Sequence, residues 1–215
     1  MVLLGVKMSS TFTTLGASNH SKEERQKNDF YATNPKDVEL FLDTLHRDNV
    51  KLSRKIWECA CGDGSISKVL INYGYEVFST DLIDRGYPKK KNPSIDFLST
   101  EKVFDGDIFT NPPFKHAQEF VLHGLNRIKS GRKIIMILRI QFLESVGRHI
   151  SIFKKYPPKY VYIYSKRITM HKDNLKQDTD TSGAMCFAWF VWHKDDYTET
   201  ILRWLSADIY QYKLF

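Results

Sequence analysis

Apolar and polar positions follow two different periods along this chain, and the switches between them mark its elements. Ile56-Trp57, Val77 to Thr80 and Ile134 to Leu138 are short runs of β-branched, aromatic and aliphatic residues, and they predict strands. A further strand is expected near Val103 to Phe109, and two β-rich segments, Tyr160 to Tyr164 and Ala184 to Trp192, close the pattern. Helical spacing separates these runs. Val38, Leu40, Phe41, Leu42 and Leu45 give an apolar face that starts after Asn34-Pro35, an N-cap followed by proline at the first helical position. Ser65 to Tyr73 predicts a helix closed by Gly74, and Lys115 to Lys129 another. Phe142 to Lys155 reads as one more, stopped by Pro157-Pro158. Strands alternating with helices predict an α/β fold, a doubly wound and mostly parallel sheet with helices on both faces.

The pattern fades at two places. Residues 1–28 read as a flexible amino-terminal arm, with loop-formers at Ser9-Ser10-Thr11 and Gly16 to Asn19 and an almost wholly polar stretch from Ser21 to Asn28. Residues 29–215 form the single predicted domain. Within it, 167–183 is the longest irregular segment, polar and partly basic, and a loop that long in a compact domain is usually functional.

Composition narrows the classes. Hydrophobic residues make up 42% of the 215, enough for a core and too many for wholesale disorder. No apolar run approaches the roughly 18 residues a membrane span needs, and Met1 to Lys7 does not resemble a secretory leader. Three cysteines, Cys59, Cys61 and Cys186, cannot make a full disulfide framework. A soluble, cytoplasmic protein is expected. The net charge of +7 is unevenly spread: Arg127 to Lys176 holds 13 basic and 2 acidic residues, the rest 19 and 23. That zone also carries Phe142, Phe153, Tyr156, Tyr160, Tyr162 and Tyr164, which suits a polyanion with stackable bases. A solvated helix face with core tyrosines would give the same composition.

Three motifs carry chemistry. Glu58-Cys59-Ala60-Cys61-Gly62-Asp63-Gly64 leaves a predicted strand and enters a predicted helix, where Gly62 and Gly64 let a ligand approach the backbone. Its third glycine position is Ser67, so it is an incomplete dinucleotide fingerprint, and no four-ligand Cys/His set for a metal is evident. Asp81 ends the next strand, where a carboxylate can accept ribose hydroxyls or simply cap a turn. NAD and S-adenosylmethionine both satisfy these two features. Asn111-Pro112-Pro113-Phe114 ends the strand after that. Its prolines fix the backbone and remove amide donors, leaving the Asn111 side-chain oxygen and the Pro112 carbonyl as acceptors. Two acceptors beside an aromatic ring suit an exocyclic amine on a flat base.

With these blocks in this order, the chain resembles the S-adenosylmethionine-dependent DNA N6-adenine methyltransferases of bacteria and phages. The order is that of the gamma-type enzymes, and the match runs by motif from Phe30 to Lys129. Tyr31-Ala32-Thr33-Asn34-Pro35 resembles the amino-terminal block that lines the methionine end of the cofactor, with Asn34 where proline is frequent. The resemblance implies that Tyr31, Thr33, Glu58, Cys59, Ala60, Gly62, Gly64 and Asp81 bind the cofactor. Asp96-Phe97 would hold its adenine, the acid on the amino group and the ring by packing. Asn111, Pro112, Pro113 and Phe114 would form the catalytic block, with Phe114 stacking on a flipped adenine. The implied fold is the Rossmann-like class I methyltransferase sheet, the implied partner duplex DNA, with RNA an alternative. Lys166, Arg167, Lys172 and Lys176 are the expected nucleic-acid contacts. RNA adenine, cytosine N4 and protein glutamine are rival acceptors for such a block. A silent nucleic-acid-binding subunit is the rival of another class, disfavoured by the intact glycine loop and Asn111.

Overall fold

Seven strands form a single sheet in the order β2-β1-β3-β4-β6-β5-β7. They are β1 (Lys55–Glu58), β2 (Glu76–Ser79), β3 (Asp107–Thr110), β4 (Lys133–Arg139), β5 (Tyr160–Tyr164), β6 (Phe187–His193) and β7 (Ile201–Leu205). This computed structural model describes residues 31–87, 94–166, 168 and 185–206. The arm expected over 1–28 and nearly all of the 167–183 loop lie outside the described residues. Only β6 runs antiparallel to its neighbours, β4 and β5. The other pairings are parallel.

Both faces of the sheet are covered, so the central strands are apolar without alternation. Along β4, Ile135 and Ile137 turn toward α1 (Pro35–Arg47) and α2 (Ser65–Asn72), which bury Val38, Phe41, Leu42, Val69 and Leu70 on that side. Ile134, Met136 and Leu138 turn toward α3 (Ala117–Arg127), with Ala117, Phe120, Val121 and Leu125. The predicted start of α1 is realised, since the Asn34 side chain accepts from the Lys36 amide at 3.0 Å. Buried Asp107 aligns three strands' beginnings, accepting the Ser53 amide at 2.6 Å and the Lys133 amide at 2.8 Å.

Three expectations change. The helix expected over Phe142 to Lys155 is instead a 3-10 turn (Ile140–Leu143), one α-turn (Val146–Arg148) and a π-turn (His149–Phe153). Gly147 weakens the helix, and the Arg148 guanidinium donates to the carbonyls of Gln141, Phe142 and Glu144, so a side chain takes the role of amides. The strand expected from Val103 begins only at Asp107, because Phe104 makes a lone bridge to Ile128. Strand β7 was not expected at all. It is an edge strand with Leu202 and Trp204 facing outward, so its pattern lacks a buried period.

Candidate active site

The sheet order turns back between β1 and β3: β2 lies on one side of β1 and β3 on the other. At such a switch point the loops at the carboxyl ends part and leave a cleft. Beyond β1 the chain stays tied to β2, with the Thr80 amide on the Glu58 carbonyl at 2.8 Å and the Cys61 amide on the Thr80 carbonyl at 2.9 Å. It then turns sharply, the Gly64 amide donating to the Cys61 carbonyl at 2.7 Å. Gly64 has φ 78°, and a Cβ there would stand 2.4 Å from the Tyr87 ring, so glycine is required on two counts. Asp81 braces this loop from β2's end. One of its oxygens accepts the Gly62 amide at 2.8 Å, the other the Ile83 amide at 2.9 Å.

Glu58 is buried at the floor. Ser67 donates to its carboxylate and shares a 2.7 Å hydrogen bond with Ser79. Burial raises the Glu58 carboxyl well above the usual range, and the carboxylates of Asp81 and Asp63 add to that, against the Ser67 hydrogen bonds. A ligand cation would restore its charge. Burial also pushes the Cys61 thiol up to about 12 and raises Cys59, so neither is a ready thiolate nucleophile at neutral pH. Among the described residues no group of three or more His, Cys, Asp or Glu could hold a metal ion.

Asn111 closes the opposite rim. Its amide nitrogen donates to the Tyr31 carbonyl at 3.0 Å and to the Thr33 hydroxyl at 3.1 Å. Those bonds fix the amide's orientation, leaving Oδ1 as its acceptor. They also join the Tyr31 block to the Asn-Pro-Pro-Phe block, 80 residues apart in sequence. Pro112 is buried, and Pro113 accepts the His116 amide at 2.9 Å, starting the turn into α3. The Phe114 ring, which the resemblance assigns to stacking on a flipped adenine, has three neighbours in the free protein. Tyr31 stacks on it at 5.5 Å, Phe187 tilts against it at 5.5 Å, and the Arg139 guanidinium lies 4.9 Å from its centroid.

A cleft of about 270 Å³ joins these parts. Of the residues expected from sequence, it is lined by Tyr31, Thr33, Glu58, Cys59, Ala60, Asp81, Asp96, Phe97, Asn111 and Pro113. Gly62, Gly64, Pro112 and Phe114 are not among its lining residues. Asp96 also caps its own turn, its two oxygens taking the Leu98 amide at 3.0 Å and the Ser99 hydroxyl at 2.5 Å. Phe97 is buried edge-on against Trp57, ring centroids 5.3 Å apart. Asp63, Arg85, Lys115 and His116 line the cleft and were not anticipated. The last two directly follow the Asn-Pro-Pro-Phe block, a signal available in the sequence.

Five basic side chains of the zone have partners within the fold. Lys129 and Arg132 pair with Asp105, and Lys159 pairs with Asp196. Arg148 binds carbonyls, as above, and Arg127 donates to the Glu101 carbonyl. Of the aromatics in that zone, Tyr162 and Phe142 are buried, and Tyr164 accepts from Trp189 at 2.6 Å. Lys166 is exposed just past β5, while Arg167, Lys172 and Lys176 lie outside the described residues.

No protein-family model matches the chain, and no curated protein matches it. Solved structures do. A candidate class I S-adenosylmethionine-dependent methyltransferase of Listeria monocytogenes superposes at TM-score 0.57 with 14% identity, covering 86% of this chain and 68% of that one. A type I restriction-modification methyltransferase subunit of Streptococcus thermophilus gives 0.57 and 14%, covering 81% and 47%. The chain therefore spans about half of that subunit's length. A candidate RNA methyltransferase of Pyrococcus horikoshii gives 0.54 and 15%, covering 76% and 86%. The chain has the Rossmann-like class I methyltransferase fold.

Proposed function

We propose that the chain transfers a methyl group from S-adenosylmethionine to the N6 amine of adenine in DNA. The observation that carries this is the Asn111 amide, held at 3.0 and 3.1 Å by the Tyr31–Thr33 segment on the rim of a cleft floored by Glu58. The residues present fit the cofactor. Asp81 and Asp96 have lone pairs beyond those that cap their turns, for the ribose hydroxyls and the adenine amine. Phe97 offers a wall for the adenine, and buried Glu58 gains a cationic partner. The bound cofactor supplies an electrophilic methyl on a sulfonium.

The chain's own part is orientation. An adenine N6 is a weak nucleophile because its lone pair is delocalised into the ring. Asn111 Oδ1 and the Pro112 carbonyl accept its two N–H groups, favour a pyramidal nitrogen and aim the lone pair. With the cofactor bound, its methyl would pass to this nitrogen, and the acidic ammonium so formed would lose its proton to solvent while Asn111 Oδ1 and the Pro112 carbonyl keep the amine in place. A duplex adenine reaches this rim only by leaving the stack.

A DNA acceptor is supported by the likeness to a restriction-modification methyltransferase subunit, and an RNA acceptor is the second reading, supported by the Pyrococcus likeness. The excess of basic residues from Arg127 to Lys176 favours either polyanion over a protein glutamine. Purified protein, labelled S-adenosylmethionine and separate DNA, RNA and protein acceptors test it. Label is expected in DNA. Label confined to RNA or protein would transfer the assignment to that acceptor.

A further inference from the structure

Arg139 ends β4 beside the Asn-Pro-Pro-Phe elbow, and its position is unusual. In the antiparallel ladder it faces Phe187, so both side chains rise on the α1 face of the sheet. Phe187 and Phe114 meet there at 5.5 Å, and the Arg139 guanidinium lies 4.9 Å from the Phe114 centroid. The Arg139 Nε atom is buried and has no hydrogen-bond acceptor among the described residues. A guanidinium is planar and stacks well, but a desolvated N–H without a partner is destabilising. No carboxylate of the described residues forms an ion pair with it, while Arg132 and Lys129, before the start of β4, share Asp105. Its Nε donor has a ring beside it and no acceptor.

A nucleotide offers both things this arrangement lacks, a flat ring for Phe114 and an anionic oxygen for the guanidinium. We propose that Arg139 is a positioning residue for the acceptor: it holds the place of the base on Phe114 in the free protein, yields that place when a base enters, and turns to the phosphate beside that base. The guanidinium then exchanges its contact with the Phe114 ring, in which Nε has no acceptor, for a charge-assisted hydrogen bond, so entry of a nucleotide is favoured over entry of a ring or an amide alone. The inference rests on the nucleic-acid reading of the site and deepens it, since a glutamine side chain carries no phosphate.

The test uses the shortest DNA that the full chain methylates, with one target adenine, and a copy in which a methylphosphonate replaces the phosphate flanking that adenine. Arg139→Ala should raise KM for the natural DNA about tenfold, a typical loss for one charge-assisted contact, with kcat within threefold and cofactor affinity within twofold. The methylphosphonate should raise the KM of the unaltered protein similarly and leave that of Arg139→Ala unmoved, the coupling expected of a direct pair. Arg139→Lys should restore the phosphate effect in part. Independent, additive effects of the variant and the methylphosphonate at every flanking position would overturn the assignment while leaving the DNA reading standing. Transfer to none of the nucleic acids would overturn both.

Discussion

Glu58 lies at the floor of the cleft with its carboxyl raised by burial, and a cationic ligand must pull it back toward ionisation. Cofactor binding should therefore release protons near the pH at which free Glu58 is protonated, and affinity should rise with pH. Calorimetry in buffers of different ionisation enthalpy reads this directly, and Glu58→Gln should abolish the release. Because the folded value lies above the unfolded one, this group's contribution to stability is present at low pH and is lost as pH rises. Glu58→Gln should flatten that decline. Asn111 has a structural part beside its proposed one, since its amide holds the Tyr31 segment. Asn111→Ala should lower methyl transfer by about 10²–10³, as for other oriented polar groups at reacting centres. Cofactor affinity should fall far less. Asp81 and Asp96 show where sequence reading stops: a carboxylate after a strand can cap a turn or bind a ligand, and here both cap turns while facing the cleft.

Elements with a strong burial period were legible. Asn34-Pro35 and the Val38 to Leu45 spacing gave α1, and the unbroken Ile134 to Leu138 run gave β4. The segment after β4 was not, because its helical spacing is overridden by Arg148 binding three carbonyls, a contact that no local pattern encodes. Edge strand β7 escaped for the opposite reason, having little buried side to set a period. Within α1, Asp37 in the first turn has its carboxyl raised to about 6 by burial. The folded value exceeds the unfolded one, so its stabilising contribution is complete near pH 4 and is lost as pH climbs through about 6. Asp37→Asn should melt above the unaltered protein at pH 8 and together with it near pH 4. In the glycine loop, Gly64→Ala meets both a positive φ and the Tyr87 ring. It should cost about 1–3 kcal/mol in denaturant unfolding and weaken cofactor binding.

The cleft lies at the β1–β3 switch point, where the strand order turns back. The charge excess was legible as a total but not as a surface, because several of its cations are internally paired. Lys166 with Arg167, Lys172 and Lys176 remains the proposed duplex contact. Substituting the four together should weaken DNA binding and flatten its salt dependence by about 0.9 per lost phosphate contact. Substituting the paired Lys129 and Arg132 should leave that slope nearly unchanged. Filter binding over a salt series separates the two sets.

The most direct measurement is nucleoside mass spectrometry of DNA after incubation with the protein and S-adenosylmethionine. The account predicts N6-methyl-deoxyadenosine, lost when Asn111 is replaced by alanine. Methyl groups on cytosine N4, or unmodified DNA alongside methylated RNA or protein, would contradict it.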